Sequence, residues 1–202
     1  AKPGEAAVQA VKWFDNLLSK TVETVEDHYS KFRISDALMA IYKLFWDDYC
    51  SWYLEMVKPS YGTPVDGVTY RATVDFFEKL LKLIHPVMPF ITEEIWQSIK
   101  PREEGASIMF ELSPKAGQWD ESFLKSFDLA REIVIGVRGI RAQKQISPRE
   151  GLELFVDGAF DAQHNPVISK LANITKVGKG TAAGASASFI VDTLKCSVPL
   201  EG

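Results

Sequence analysis

The sequence predicts a mainly α fold: an antiparallel helical bundle over residues 1–145, followed by a small α+β unit over residues 146–202. Three observations lead there. Apolar residues recur at steps of three and four through most of the first 145 positions, the spacing of one helix face. The texture changes at Ile146-Ser147-Pro148, after which short, loosely alternating runs bounded by glycine take over. A length of 202 residues suits one large domain or one domain with a small appendage.

Taken in order, Val8, Val11, Leu18, Val22 and Val25 place a first helix from about Ala6 to Ser30. Ser35 is a candidate N-cap for the second. There Ile34, Leu38, Ile41, Phe45, Tyr49, Trp52 and Met56 follow at steps of four, three, four, four, three and four. At ~100° per residue those seven share one narrow stripe. Pro59, Gly62 and Pro64 mark a loop. A third helix runs from about Gly67 to His85 with a wide apolar face, and Pro86 and Pro89 end it, leaving Phe90–Ile99 as a separate short helix. Pro101 to Asp120 reads as a linker with an extended piece at Ser107–Glu111, and a long helix from about Glu121 to Gln145 closes the bundle. Beyond it, Leu152–Val156, Ile174–Val177, Ser186–Val191 and Lys195–Leu200 read as strands, with a short helix from Asn165 to Ala172. The last two strands join through Asp192-Thr193, and Gly178 to Ser188 reads as a mobile turn.

Composition narrows the function classes. An apolar fraction of 46% with 25% charged residues is ordinary for a globular chain and argues against disorder. No run approaches the roughly 20 apolar residues of a membrane span, and the N-terminus carries no signal segment. Two cysteines far apart, Cys50 and Cys196, point to a reducing compartment rather than a disulfide framework. The start at Ala1 reads as that of an excised or processed piece. A formal charge of -4 leaves nucleic-acid binding to a local patch.

Catalytic and metal constellations are not expected. His28, His85 and His164 stand apart from the cysteines, with no Cys-x-x-Cys or His-x-x-x-His spacing. Gly178-Lys179-Gly180 lacks the rest of a phosphate loop. Asp47-Asp48 and Glu93-Glu94 are helix neighbours that do not face each other. Two positive features remain. Arg131, Arg138, Arg141, Lys144 and Arg149 outnumber Glu132 and Glu150 by three, either an ordinary solvated helix face or a ridge that tracks phosphates. Leu54 falls opposite the apolar stripe, with Asp36, Lys43, Asp47 and Lys58. It is either a second contact of a buried helix or an exposed apolar contact for a nucleobase or ribose, flanked by Arg33 and Lys58.

At this point two runs become recognisable. Phe32-Arg33-Ile34-Ser35-Asp36-Ala37-Leu38 with Phe45 through Pro59, and the later Leu83-Ile84-His85-Pro86-Val87-Met88-Pro89-Phe90-Ile91-Thr92-Glu93-Glu94-Ile95-Trp96, closely resemble the anticodon-binding helical domain of class I aminoacyl-tRNA synthetases. Val137-Arg138-Gly139-Ile140-Arg141 and the closing Val198–Gly202 further resemble the valyl group of that class. The resemblance covers essentially the whole chain. It implies a tRNA anticodon stem-loop as partner, with Leu54 against an anticodon base; Arg33, Lys58, Arg138 and Arg141 join it as candidate contacts on the strength of their charge and spacing. It also implies a longer, cytoplasmic, ATP-dependent ligase that charges tRNA(Val) with valine. The two ATP-site signatures of the family, its editing domain and its C-terminal coiled coil are not in these 202 residues. On this reading the chain has no catalytic residue, holds no cofactor of its own, is inactive alone and works with the rest of the synthetase in cis. The alternatives are the equivalent domain of a leucyl or isoleucyl enzyme, or a non-enzymatic helical scaffold.

Overall fold

A computed structural model describes residues 2–200; Ala1 and the Glu201-Gly202 end of the closing motif lie outside the described residues. The fold is helical with a small four-stranded sheet near the C-terminus. Two compact units divide between Trp119 and Asp120. The sequence placed this change after Gln145, so the long helix assigned to the bundle belongs with the sheet instead.

The first unit opens with α1 (Glu5–Ser30), which buries Ala7, Ala10, Trp13, Phe14, Leu18, Val22 and Val25. Next, α2 (Ile34–Tyr42) passes into a π-helical stretch (Lys43–Tyr53) and then α3 (Leu54–Val57). Helix α2 begins one residue before Ser35 with Arg33 in the cap position, so Ser35 is not the cap. A π-helix bonds each residue to the fifth one on and turns less per residue than an α-helix. The Ser51 hydroxyl follows that spacing, donating to the Trp46 carbonyl at 3.0 Å.

Eleven residues of this geometry rotate the buried face. Of the expected stripe, Ile41, Tyr49 and Met56 are buried, Leu38, Phe45 and Trp52 only half-buried, and Ile34 exposed. Leu44, Asp48 and Tyr53 go inside in their place. The Phe14 ring then meets Tyr53, Tyr49 and Phe76 at centroid distances of 5.1, 5.3 and 5.0 Å. Both phenols of the stretch reach Thr73, Tyr49 donating to its carbonyl at 2.9 Å and Tyr53 meeting its hydroxyl at 2.8 Å. Burial pushes the Tyr53 phenol up to about 12.

Helix α4 (Gly67–Ile84) starts at Asp66, whose carboxylate accepts from the Val68 and Thr69 amides at 3.0 and 2.8 Å. Pro86 and Pro89 end it and open α5 (Pro89–Ile99). A smaller core of Leu81, Trp96 and Ile108 joins these helices to the segment that follows. The expected extended piece at Ser107–Glu111 is a 3-10 turn (Ile108–Phe110), because Glu93 accepts from both the Ser107 hydroxyl and the Ile108 amide. Arg102 lies 3.5 Å from the Trp96 ring centroid and pairs with Glu78. Burial alone would raise the Glu78 carboxyl; hydrogen bonds from Lys100 and Arg102 outweigh it and hold the group below its ordinary value.

The second unit begins with α6 (Glu121–Lys144), capped by Asp120 through the Ser122 and Phe123 amides. Strand β1 (Leu152–Asp157) leads through a 3-10 turn (Ala162–His164) and α7 (Asn165–Ala172) to the parallel strand β2 (Ile174–Lys179). The hairpin β3 (Ser186–Val191) and β4 (Leu194–Pro199) turns at Asp192, and β4 also pairs antiparallel with β1. Sheet order is β2-β1-β4-β3. Leu152, Leu154 and Val156 alternate to one buried face, while α6 buries Phe127, Ile133, Val134 and Val137 and packs with α7 and β3. Gly136 lets the Phe189 ring of β3 lie against α6, where any side chain would overlap it.

Candidate nucleic-acid interface

Within the first unit, Leu54 and Lys58 stand one turn apart at the C-terminal end of the α2–α3 helix. Leu54 is half-buried, bordered by exposed Ser51, Glu55 and Lys58. It thus offers a partly exposed apolar edge rather than a fully separate face. Lys58 is exposed, with its ammonium 3.5 Å from Glu55 Oε1. Arg33 sits at the other end of the same helix and pairs with Asp36 at 2.6 Å. Twenty-one residues at about 1.5 Å rise separate it from Leu54 by roughly 30 Å. Arg33 and Lys58 therefore do not flank Leu54 together.

The same helix shows something the periodicity missed. Met39, Tyr42 and Trp46 all stand exposed, and the Tyr42 and Trp46 rings lie parallel within 13°, their centroids 6.5 Å apart. Lys43 and Asp47 border them. An aromatic pair four residues apart beside the apolar stripe was the available signal. Tyr42 closes α2 and Trp46 lies in the π-helical stretch that follows, and both rings face solvent.

In the second unit, the two candidate arginines meet different surroundings. Arg138 is exposed, and its Nε and Nη2 donate to the Leu171 carbonyl at 3.2 and 3.0 Å. Arg141 is 6% exposed. Its guanidinium donates to the carbonyls of Ala172, Ser147, Glu150 and Asn173. Burial lowers its pKa from the ordinary guanidinium value, partly offset by Glu150. The Asn173 side chain adds bonds to the Pro148 and Glu150 carbonyls at 3.1 and 3.0 Å. Together they tie the end of α7 to the α6–β1 loop. Arg141 is thereby committed to the fold, a correction to its place on the ridge. Arg138 and Lys170 line a groove of about 670 Å³ here, and Lys144 and Arg149 are exposed nearby in the chain.

One further pair has the residue types of nucleophilic chemistry. Ser126 Oγ lies 2.8 Å from His164 Nε2. His164 is fully buried among the Phe123, Phe127 and Phe160 rings, so this bond ties α6 to the turn before α7 out of reach of substrate. Among the described residues no cluster of three or more His, Cys, Asp or Glu could hold a metal ion, and no helix is long and apolar enough to cross a membrane.

The family model described as the anticodon-binding domain of tRNA ligase matches residues 11–156. The chain is 49% identical to a valine–tRNA ligase of Parabacteroides distasonis over 97% of its own length and 23% of that protein. A valine–tRNA ligase of Bacteroides fragilis is 50% identical over 95% of the chain and 22% of the relative, and one of Christiangramia forsetii is 44% identical over 98% and 23%. The chain thus spans under a quarter of the length of these curated relatives. With a family match running from α1 into β1, the chain belongs to the anticodon-binding domains of tRNA ligases.

Proposed function

We propose that these 202 residues are the anticodon-stem-loop-binding portion of a cytoplasmic valine–tRNA ligase, which uses ATP to charge tRNA(Val). Near-complete coverage of the chain by relatives of that name carries the reading and favours it over a leucyl or isoleucyl equivalent. The chain supplies tRNA positioning and no nucleotide chemistry of its own, the rest of the ligase acting in cis. Leu54 and Lys58 form one contact, apolar toward a loop base and cationic toward its phosphate. Tyr42 and Trp46 offer π-faces to a second, unpaired base. Arg138 contributes phosphate contact from the second unit. Arg33, at the far end of its helix, touches the tRNA apart from Leu54, and Arg141 acts only by holding the α7 end that Arg138 borders.

A salt titration of tRNA binding in the full-length ligase tests these roles, because apolar and ionic contacts respond differently. Leu54→Ala should weaken cognate tRNA by on the order of 1 kcal/mol, below the aromatic stacking range, without changing the salt slope. Arg138→Gln should weaken cognate and anticodon-swapped tRNA alike and lower the log–log slope by roughly 0.7–0.9. An unchanged slope for Arg138→Gln returns that residue to a solvated face. An unchanged anticodon preference for Leu54→Ala removes the base contact.

A further inference from the structure

We infer that the groove between the ends of α6 and α7 takes up one unpaired nucleotide of the tRNA whole, base as well as phosphate. The inference deepens, and rests on, the proposal that Arg138 contacts tRNA phosphate. Arg138, Arg141 and Lys170 line this groove of about 670 Å³, and among the described residues no Asp or Glu does. On a chain of formal charge -4 that is a local reversal of sign. The hollow beside the start of β1 and the one beside the end of α1 each carry two glutamates instead.

The walls of the groove are set before anything binds. Helix α6 ends at Gln145 and α7 at Asn173, both in the left-handed conformation that closes a helix, with φ of 57° and 50°. Each helix C-terminus carries roughly half a negative charge, which by itself disfavours phosphate. Arg141 offsets that charge, donating to the Ala172 and Asn173 carbonyls at 3.0 and 3.1 Å. Arg138 and Lys170 are then left to set the sign of the groove. Two bonds to the Leu171 carbonyl fix the Arg138 guanidinium at the rim. Arg141 also reaches the Ser147 and Glu150 carbonyls, both at 2.8 Å, so the loop after α6 is held against the end of α7. A groove braced in this way loses little freedom when it is filled.

The lining divides into three chemistries that match the three parts of a nucleotide. Arg138 and Lys170 suit a phosphate. Ile146, Pro148 and Leu171 present apolar surface, on which a base or ribose packs. Gln145 and Ser147 bring an amide and a hydroxyl that both donate and accept, as the edge of a base requires. The volume lies within the roughly 300–1,000 Å³ of small-ligand sites. A ridge that only tracked phosphates would need no apolar wall. Bases paired in a duplex cannot enter the groove, so its occupant is a nucleotide splayed from a single strand.

Amide NMR of the 202-residue chain, titrated with a single-stranded uridylate hexamer, tests this. Amides within residues 142–149 and 170–173 should shift. An abasic hexamer with the same phosphates should bind there about tenfold more weakly. Ala142→Leu fills the groove from an exposed position on α6 and changes no charge. It should weaken uridylate binding at these amides about tenfold and leave the shifts at Tyr42 and Trp46 unchanged. Equal affinity for the abasic hexamer would reduce the groove to a phosphate contact. Equal affinity for uridine monophosphate would give it to a free nucleotide, and equal affinity for hexaglutamate to an acidic peptide; each of the three overturns the proposal. An unshifted groove in the wild-type chain, with tRNA binding by the full-length ligase still sensitive to Arg138→Gln, overturns the nucleotide site alone. Failure of the wild-type full-length ligase to bind tRNA overturns the parent reading, and the groove with it.

Discussion

Arg138 and Arg141 stand three residues apart on α6, and burial alone separates their roles. Arg141 satisfies four carbonyls from two chain segments, a set that a smaller side chain leaves partly unpaired. Arg141→Ala should destabilise the protein by about 2–3 kcal/mol in urea unfolding, and Arg141→Lys should recover only part, since an ammonium cannot reproduce the planar fork. Arg138→Gln should change stability by under about 1 kcal/mol, its loss falling on a single exposed carbonyl. Equal destabilisation by both substitutions would remove the distinction. The sequence showed a local excess of cations, but the carbonyls that claim one of them lie up to 32 residues away.

At the scale of elements, the π-helical stretch has the largest consequence. Strict α-helical counting puts Trp52 in the core and implies about 3–5 kcal/mol for its removal. The rotated face gives that place to Tyr53, fully buried against Phe14 and Phe76 and bonded to Thr73. Tyr53→Ala should therefore cost about 3–5 kcal/mol. Half-buried Trp52→Ala should cost clearly less, and exposed Trp46→Ala should stay within about 0.5 kcal/mol. Thermal unfolding of the three variants checks the order, and Trp52 ranking above Tyr53 would restore the α-helical register. Helix existence was legible here because the apolar repeat is strong. The local change of pitch was not, because it depends on what Tyr49 and Tyr53 find on α4.

For the molecule as a whole, the decisive feature is where α6 belongs. Its apolar residues form a good helix face, and a sequence-adjacent bundle was the simplest surface to receive it. The Gly136 gap filled by Phe189 and the bonds from Arg138 and Arg141 to the end of α7 place it with the sheet instead. Residues 120–202 expressed alone should therefore unfold cooperatively and give a dispersed amide spectrum. Residues 146–202, deprived of the helix that packs on α7 and receives the Phe189 ring of β3, should not. A dispersed spectrum from the shorter piece would restore the boundary at Gln145.

What the sequence determined by itself was local and periodic. It set the long helices and the strands of the C-terminal sheet, though not the turn at Ile108–Phe110, together with the breaks at Pro86 and Pro89, the hairpin at Asp192-Thr193, and motifs specific enough to indicate an anticodon-binding domain. Those depend on residues within a few positions of one another, where backbone preference and apolar spacing dominate. Only tertiary structure decided which surface each apolar face meets. It turned Tyr42 and Trp46 outward and sealed Arg141 beneath the end of α7. The physical reason is common to both. A side chain's exposure is fixed by partners distant in sequence, and periodicity carries no record of their identity.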